Sequence, residues 1–308
     1  MSTGALAGVR NERMGLQAGG LALLAMVLWG GNTIGIKIGL QGMPPVAMAG
    51  LRFVLGALTV WIGALACGVG IRAPAGQWRG LAGLGAVFAV QIVLLNLGTQ
   101  HTLGSRAGVL VCTYPFFTAL FAHYLLPGDR LSAARLAGLG LSFAGVVLVF
   151  AESLALGDTA HLAGDVLVLG SGMLLGLRQV VLKRLVVDLH PFQVLFWQAM
   201  MGIPLFAALS LLTERQTEWT WSAPVVGAVL YQGVVVAGIC FMLSVFLLRR
   251  HRASQVGAFG FVTPVAAVLL GGLLLDEPLS AALLGSMGLV AAGIALASRA
   301  AQTAPETD

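Results

Sequence analysis

Residues 105–145 read SRAGVLVCTYPFFTALFAHYLLPGDRLSAARLAGLGLSFAG, and residues 254–293 read SQVGAFGFVTPVAAVLLGGLLLDEPLSAALLGSMGLVAAG. In the first stretch Pro115 is followed by Asp129, Leu131, Ser132, Gly140 and Gly145; in the second Pro264 is followed by Glu277, Leu279, Ser280, Gly288 and Gly293. The separation is 149 residues at the prolines (264 − 115) and 148 at the acids (277 − 129). Upstream, Pro45 pairs with Pro191 and Lys37 with Lys183 at a shift of 146. Nearly the whole chain therefore reads as two related halves.

Both copies lie in long apolar runs, and the composition says what surrounds them. Hydrophobic residues make up 58% of the chain and charged residues 9%, against roughly 25% charged in a soluble domain. So few charges cannot cover a water-facing surface. Runs of about 20 apolar residues, the length that crosses a hydrocarbon core, recur instead. Ten are expected, at 15–40, 45–67, 79–100, 104–126, 131–150, 162–184, 191–212, 223–248, 253–275 and 279–298. Short connections carry the breakers Pro44-Pro45, Pro127-Gly128, His190-Pro191 and Glu277-Pro278. The fold class is thus an all-α membrane protein.

Lys and Arg resist translocation, so their placement orients the spans. With the N-terminus inside, Arg10, Arg13, Arg72, Arg79, Arg130, Arg135, Lys183, Arg184, Arg249, Arg250, Arg252 and Arg299 fall on cytoplasmic segments, while Arg106 and Arg215 fall outside. Glu152, Asp158, Asp165, Glu214, Glu218, Asp276 and Glu277 all lie on outer segments under the same assignment. Both termini are expected in the cytoplasm. Five spans per half is an odd number, so the halves enter from opposite sides as inverted repeats, 15–150 and 162–299, with cytoplasmic tails at 1–14 and 300–308. The net charge of +5 then reports topology and contact with anionic lipid, without nucleic acid. Cys67, Cys112 and Cys240 lie in separate runs without metal-ligand spacing and read as small apolar fillers. No phosphate-binding loop, zinc-protease helix, nucleophile elbow or dinucleotide fingerprint occurs. Neither a metal nor a cofactor is expected. Oligomeric state stays open, a monomer included.

The run Trp29-Gly30-Gly31-Asn32 with Lys37, the pair Arg52-Phe53, and the twice-used order of proline, acid and Gly-x4-Gly resemble the EamA family of the drug/metabolite transporter superfamily. The similarity covers residues 15–299. The first copy has Asp129 where the family more often has Glu. The resemblance implies a ten-helix carrier of the cell inner membrane that moves small metabolites, commonly exporting amino acids, without ATP hydrolysis.

Polar groups deep in hydrocarbon are costly unless they face a wet cavity, so each is a candidate substrate contact. Near the midplane the spans put Trp29, Asn32, Gln91, Tyr114, Trp197, Gln198, Tyr231, Gln232 and Thr263; Lys37 and Arg52 fall in the outer half and Arg178 in the inner half. Lys37 is three residues from its span end and reads equally as a snorkelling anchor. Arg52 lies seven residues inside, about 10 Å at the helical rise; a structural ion pair and a substrate anion are both open to it. Arg178 occupies the repeat position of Asn32 (178 − 146) and otherwise reads as an anchor beside Lys183 and Arg184. The aromatic residues read as cavity walls or as interhelical packing. Pro115 and Pro264 interrupt the backbone ladder and are expected hinges rather than static kinks. His123 and His101 read as structural groups.

No acid falls in mid-span, which disfavours proton-driven antiport of cationic drugs; the nearest is Asp165. The expectation is alternating-access export of small, largely apolar metabolites, amino acids and aromatic ones among them, with a carboxylate on Arg52 or Lys37. The rivals are an importer or exchanger of drugs or nucleotide-linked solutes, a substrate-free scaffold, and an intramembrane enzyme using Ser171 or His123. The enzyme lacks a nucleophile and base at matching depth.

Overall fold

The computed structural model describes residues 14–125, 133–155, 159–185, 189–215, 217–251, 256 and 258–303. Asp129, Arg130, Leu131 and Ser132 of the first repeated motif, Arg10, Arg13, Asp158 and Arg252 lie outside them. The regular elements are all helical among the described residues: α1 Leu16–Gly30, α2 Asn32–Gly39, α3 Pro45–Ala66, α4 Trp78–His101, α5 Gly104–Val111, α6 Tyr114–Leu125, α7 Ala133–Ala155, α8 Thr159–Leu185, α9 Pro191–Thr213, α10 Ala223–Leu230, a π-helix Tyr231–Cys240, α11 Phe241–Arg250, a 3-10 turn Ala258–Phe261, α12 Val262–Leu275 and α13 Ala281–Thr303.

Seven helices are long and apolar enough to cross a membrane: Leu16–Gly39, Pro45–Ala66, Trp78–His101, Gly104–Leu125, His161–Leu185, Pro191–Thr213 and Ala223–Ser244. Leu136–Glu152, Phe259–Leu275 and Ala281–Ala297 are apolar but shorter. Every expected span has one of these ten at its position. This is a multi-pass membrane protein. Its exposed Leu58, Ile62, Leu65, Val90, Phe143, Leu211 and Leu273 suit lipid rather than water.

Local chemistry sets the helix ends. Pro45 and Pro191 open α3 and α9, where a missing N–H costs no bond. His190 and Gln193 form a capping box on α9, and the Ser222 hydroxyl accepts from the Val225 amide at the start of α10. Gly68, with φ +67°, follows α3. Asp276 ends α12 at φ 51°, the left-handed value that stops a helix before Pro278.

The main packing partners are α7 with α13, α4 with α8, α3 with α9 and with the π-helix, α6 with α8, and α12 with α5 and α1. The crossing of α7 and α13 needs glycine, because a Cβ on Gly138 would lie 2.7 Å from the Gly293 carbonyl oxygen. The repeated Gly-x4-Gly motif divides the same way in both copies: Gly145 and Gly293 are packed, whereas Gly140 and Gly288 face open space. Gly35 and Gly39 contact neighbours, while Gly83 has nothing within 4 Å. Cys112 and Cys240 are buried fillers; Cys67 is exposed at the end of α3.

Candidate substrate site

Four spans depart from continuous α-helix. The first breaks at Gly31, the fourth at Cys112 and Thr113, the eighth winds as a π-helix over Tyr231–Cys240, and the ninth begins as a 3-10 turn before Val262. Irregular backbone at membrane depth persists where protein or polar groups surround it, and π-helical turns cluster at functional sites. Two of these departures meet: the Tyr231 hydroxyl donates to the Leu28 carbonyl beside the Gly31 break, and Gln232 Nε2 donates to the Gly35 carbonyl at 2.9 Å.

The π-helix thereby aims Gln232 at Arg52. Arg52 is 3% exposed. Its Nη1 donates to Gln232 Oε1 at 3.4 Å, and its guanidinium lies 4.8 Å from the Phe53 ring centre. A second buried guanidinium has similar company. Arg178, 5% exposed on α8, donates from Nη1 to Gln91 Oε1 at 3.0 Å and lies 5.3 Å from the Phe88 ring. Gln91 Nε2 donates to Ser171 Oγ at 2.9 Å, and the Ser171 hydroxyl donates to the Gln91 main-chain oxygen at 2.8 Å. Phe53 and Phe88 touch edge to face, 4.5 Å between centroids, with Phe206 against both. The two arginines therefore flank one aromatic cluster, and their charges interact. Tyr231 lies within electrostatic reach of Arg52, and Tyr114 of Arg178.

Neither guanidinium has an acidic partner among the described residues, and the Nε of each is buried without a hydrogen-bond acceptor. Taking a cation out of water is costly when nothing neutralises it. Such a group in a membrane interior is a candidate ligand or ion contact.

Charges at the end of the bundle that carries Glu277 are arranged differently. Arg106 pairs with Asp165 at 2.6 Å and Glu152 at 2.7 Å, and the Thr102 hydroxyl donates to Asp165 at 2.7 Å. Glu277 accepts from the Gly104 and Ser105 amides at 2.6 and 2.8 Å, capping α5. Glu214 accepts from the Val46 and Ala47 amides at 2.8 and 2.9 Å, capping α3. Acids at helix N-termini meet unsatisfied N–H groups and the positive end of the dipole. The converse holds for Lys37, whose Nζ donates to the Thr99, Gln100 and Thr102 carbonyls at 3.0, 3.2 and 2.6 Å, at the C-terminus of α4. An open depression of about 610 Å³ at this end, walled by Gln41, Pro44, Leu209, Glu214 and Glu218, lies away from the arginines.

Of the residues singled out in the sequence, the structure gathers Arg52, Gln91, Arg178, Tyr114, Tyr231 and Gln232. Asn32 begins α2 and Gln198 lies on α9, both with a buried side-chain oxygen lacking a partner. Trp29 packs edge-on against Phe241 at 5.4 Å, and the Thr263 hydroxyl meets Met26 Sδ at 3.6 Å. Trp197 sits apart: its indole N–H donates to the Ile71 carbonyl at 2.7 Å, and it packs on Trp78. Lys37 is apart too, at the Glu277 end. Pro115 is the second residue of α6 and Pro264 the third of α12, so each lies in a first turn just after its helix changes winding. Sequence reasoning missed Glu214 and Glu277 as caps. Helix starts at Pro45 and Gly104 were the available signal, but the acids lie 168 and 173 residues away in the chain.

A multi-pass helical protein with buried cations in its interior has the architecture of a membrane carrier. The chain belongs to the EamA-like transporter family, whose model matches residues 18–151 and again residues 162–299. Among curated relatives, "Uncharacterized transporter YoaV" of Bacillus subtilis (strain 168) is 23% identical over 87% of this chain and 92% of its own length. "Probable amino-acid metabolite efflux pump" of Escherichia coli (strain K12) is 28% identical over 87% of this chain and 90% of its own. A solved crystal structure, 24% identical, shares the fold with a TM-score of 0.68 over 93% of this chain and 98% of that one. Family and relatives are transporters, which points away from an enzyme. Ser171, the nucleophile weighed from sequence, is engaged by Gln91.

Proposed function

We propose that this protein exports small metabolites, amino acids including aromatic ones foremost, from the cytoplasm across the cell inner membrane by alternating access and without ATP hydrolysis. The observation that carries this reading is the pair of buried guanidiniums, Arg52 and Arg178, without an acid among the described residues. At the 146-residue shift Arg52 corresponds to Gln198 and Arg178 to Asn32, so each related pair has one guanidinium and one amide. All four side chains keep a buried polar atom without a partner.

Inverted repeats at 15–150 and 162–299 supply the two mirror-related shapes that alternating access requires. Support comes from the two matches of one family model and from interfaces between equivalent spans: α3 with α9, α5 with α12 and α7 with α13. The basic residues favour cytoplasmic termini and make the Glu277 end the outer one. The Arg106, Lys37, Glu214 and Glu277 contacts tie neighbouring helices together at that end. Pro115 and Pro264 serve as hinges, since each stands in the first turn just after a change of winding. The Escherichia coli relative named as an amino-acid metabolite efflux pump supports the solute class.

The test is counterflow of labelled amino acids, aromatic and aliphatic, in proteoliposomes at equal pH and without ATP. Uptake accelerated by an unlabelled internal pool is expected. Absence of flux across the panel overturns the reading.

A further inference from the structure

Resting on the carrier reading above, we infer that Gln91 is the specificity-determining residue at Arg178 and that Ser171 is its positioning residue. Together they turn an amide oxygen to the guanidinium, which orients the cation without neutralising it and leaves its charge for the carboxylate of an amino acid.

The count of hydrogens fixes the amide. Ser171 has one hydroxyl hydrogen, and it goes to the Gln91 main-chain oxygen, which can only accept. Ser171 Oγ is then left to accept from the Gln91 side chain, where Nε2 is the one group that can donate. The opposite atom, Oε1, therefore faces Arg178 Nη1, which can only donate. All three contacts demand the same orientation. Ser171 is fully buried and Gln91 is 2% exposed, so a partner removed here is not replaced by bulk water.

Helix geometry lets one amide serve both groups. Ser171 and Arg178 are seven residues apart on α8, about two turns, which puts them on one face. Helical side chains lean toward the N-terminus, so the long Arg178 stem runs back toward Ser171, where the packing of α4 on α8 brings Gln91 across.

What the amide withholds matters as much as what it gives. Glutamate has the shape of glutamine, and at position 91 it would supply Arg178 with the built-in acid that Arg106 has in Asp165 and Glu152. The amide takes one nitrogen and adds no charge, and Arg178 Nε stays buried without a partner. A guanidinium kept open in this way favours a solute that brings a carboxylate. Arg52 is served by Gln232 in a similar manner, but there the Gly35 main-chain carbonyl holds the amide, and the contact to Arg52 is longer, 3.4 Å. The Arg178 lock is made by a side chain, so substitution can remove it.

The full chain in proteoliposomes carries the test, with labelled phenylalanine and leucine set against phenethylamine and isopentylamine, the same side chains without the carboxylate. Wild type should favour the amino acids. Gln91→Glu should cut that preference about 10- to 100-fold, the effect of one charged hydrogen bond. Ser171→Ala should raise the amino-acid KM about 2- to 10-fold at unchanged Vmax, the effect of one neutral bond. On a Gln91→Met background it should add nothing, because it acts through Gln91. A merely structural role would lower the amount of active protein and leave both KM and the preference where they were. Flux with an unchanged preference in Gln91→Glu, or equal KM effects of Ser171→Ala in both backgrounds, overturns the inference and leaves the carrier standing.

If wild type carries nothing, the carrier reading falls and binding decides the inference. Phenylalanine or leucine raising the Tm of the detergent-purified protein, with the rise lost in Gln91→Glu, sustains it. No rise, or a rise that Gln91→Glu keeps, overturns it as well.

Discussion

Arg106 and the Arg52–Arg178 pair are all at least nine-tenths buried, yet they live in opposite company. At the Glu277 end Arg106 faces two carboxylates, Lys37 faces three carbonyls, and Glu214 and Glu277 each accept two amides. In the interior, Arg52 and Arg178 each have one side-chain amide, one ring and no acid among the described residues. Burial is common to both regions, so it cannot be the difference. What differs is neutralisation. A charge whose partners are built in belongs to the fold, whereas one left open in low dielectric persists where a transient partner completes it.

The comparison breaks most forcefully at Asp165, which is fully buried. Asp165→Ala takes the stronger acid contact from Arg106 and the acceptor from Thr102. Removing one member of a buried pair costs about 3–5 kcal/mol when the other charge is left uncompensated, and Arg106 keeps Glu152, which places the expected cost at the lower end. A large fall in Tm of the detergent-purified protein is expected. An unchanged Tm would mean that Glu152 and the Val149 carbonyl alone satisfy Arg106, and the contrast in neutralisation between the regions would rest on one carboxylate.

Glu277→Gln is milder. The carboxylate caps α5 with two oxygens, and an amide can offer one, so one charge-assisted bond is lost at about 1.5–3 kcal/mol. If the Glu277 end opens during transport, this change should also raise labelling of a cysteine placed at Ser105 by a membrane-impermeant thiol reagent. A lower Tm without added labelling would make the cap purely structural.

Much of this architecture was legible in the sequence because the bilayer imposes length. Ten apolar runs, the breakers between them and the twice-written proline motif each have a local physical cause, and among the described residues the runs have helices and the breakers Pro44-Pro45, His190-Pro191 and Glu277-Pro278 have helix breaks at their positions. Rotation of those helices was not legible. An apolar run with no polar stripe does not tell which face meets a neighbour, so the cluster of Phe53, Phe88 and Phe206 and the remoteness of Trp197 had no signal. The π-helix left no trace either, since its residues carry no periodicity that separates it from α. Charge partners were hidden by distance along the chain: Arg106 and Asp165 are 59 residues apart, and Lys37 and Thr102 are 65. The depth of Arg52 was readable and its openness was not, because openness is a statement about which partners fail to arrive.

Lys37 sharpens that point. The sequence left it between a headgroup anchor and a substrate contact, and its Nζ instead reaches three carbonyls at the end of α4. Lys37→Met keeps the stem and removes the donors, for an expected loss of about 1–2 kcal/mol in stability with transport KM unchanged. A raised KM at constant Tm would return Lys37 to the substrate.

The smallest expected effect on stability is the most informative. Arg52→Gln and Arg178→Gln each remove a buried cation that has no acid among the described residues to leave behind, so the penalty that makes Asp165→Ala costly does not arise. What is lost is one hydrogen bond to an amide and one ring contact, about 1–2 kcal/mol together. What is gained is relief from burying a charge beside a second one. The two offset, and the Tm should stay level or rise while transport falls. A steep loss of Tm in either variant would show that the interior arginines hold the fold as Arg106 does, through partners outside the described residues, and would transfer them from the substrate to the scaffold.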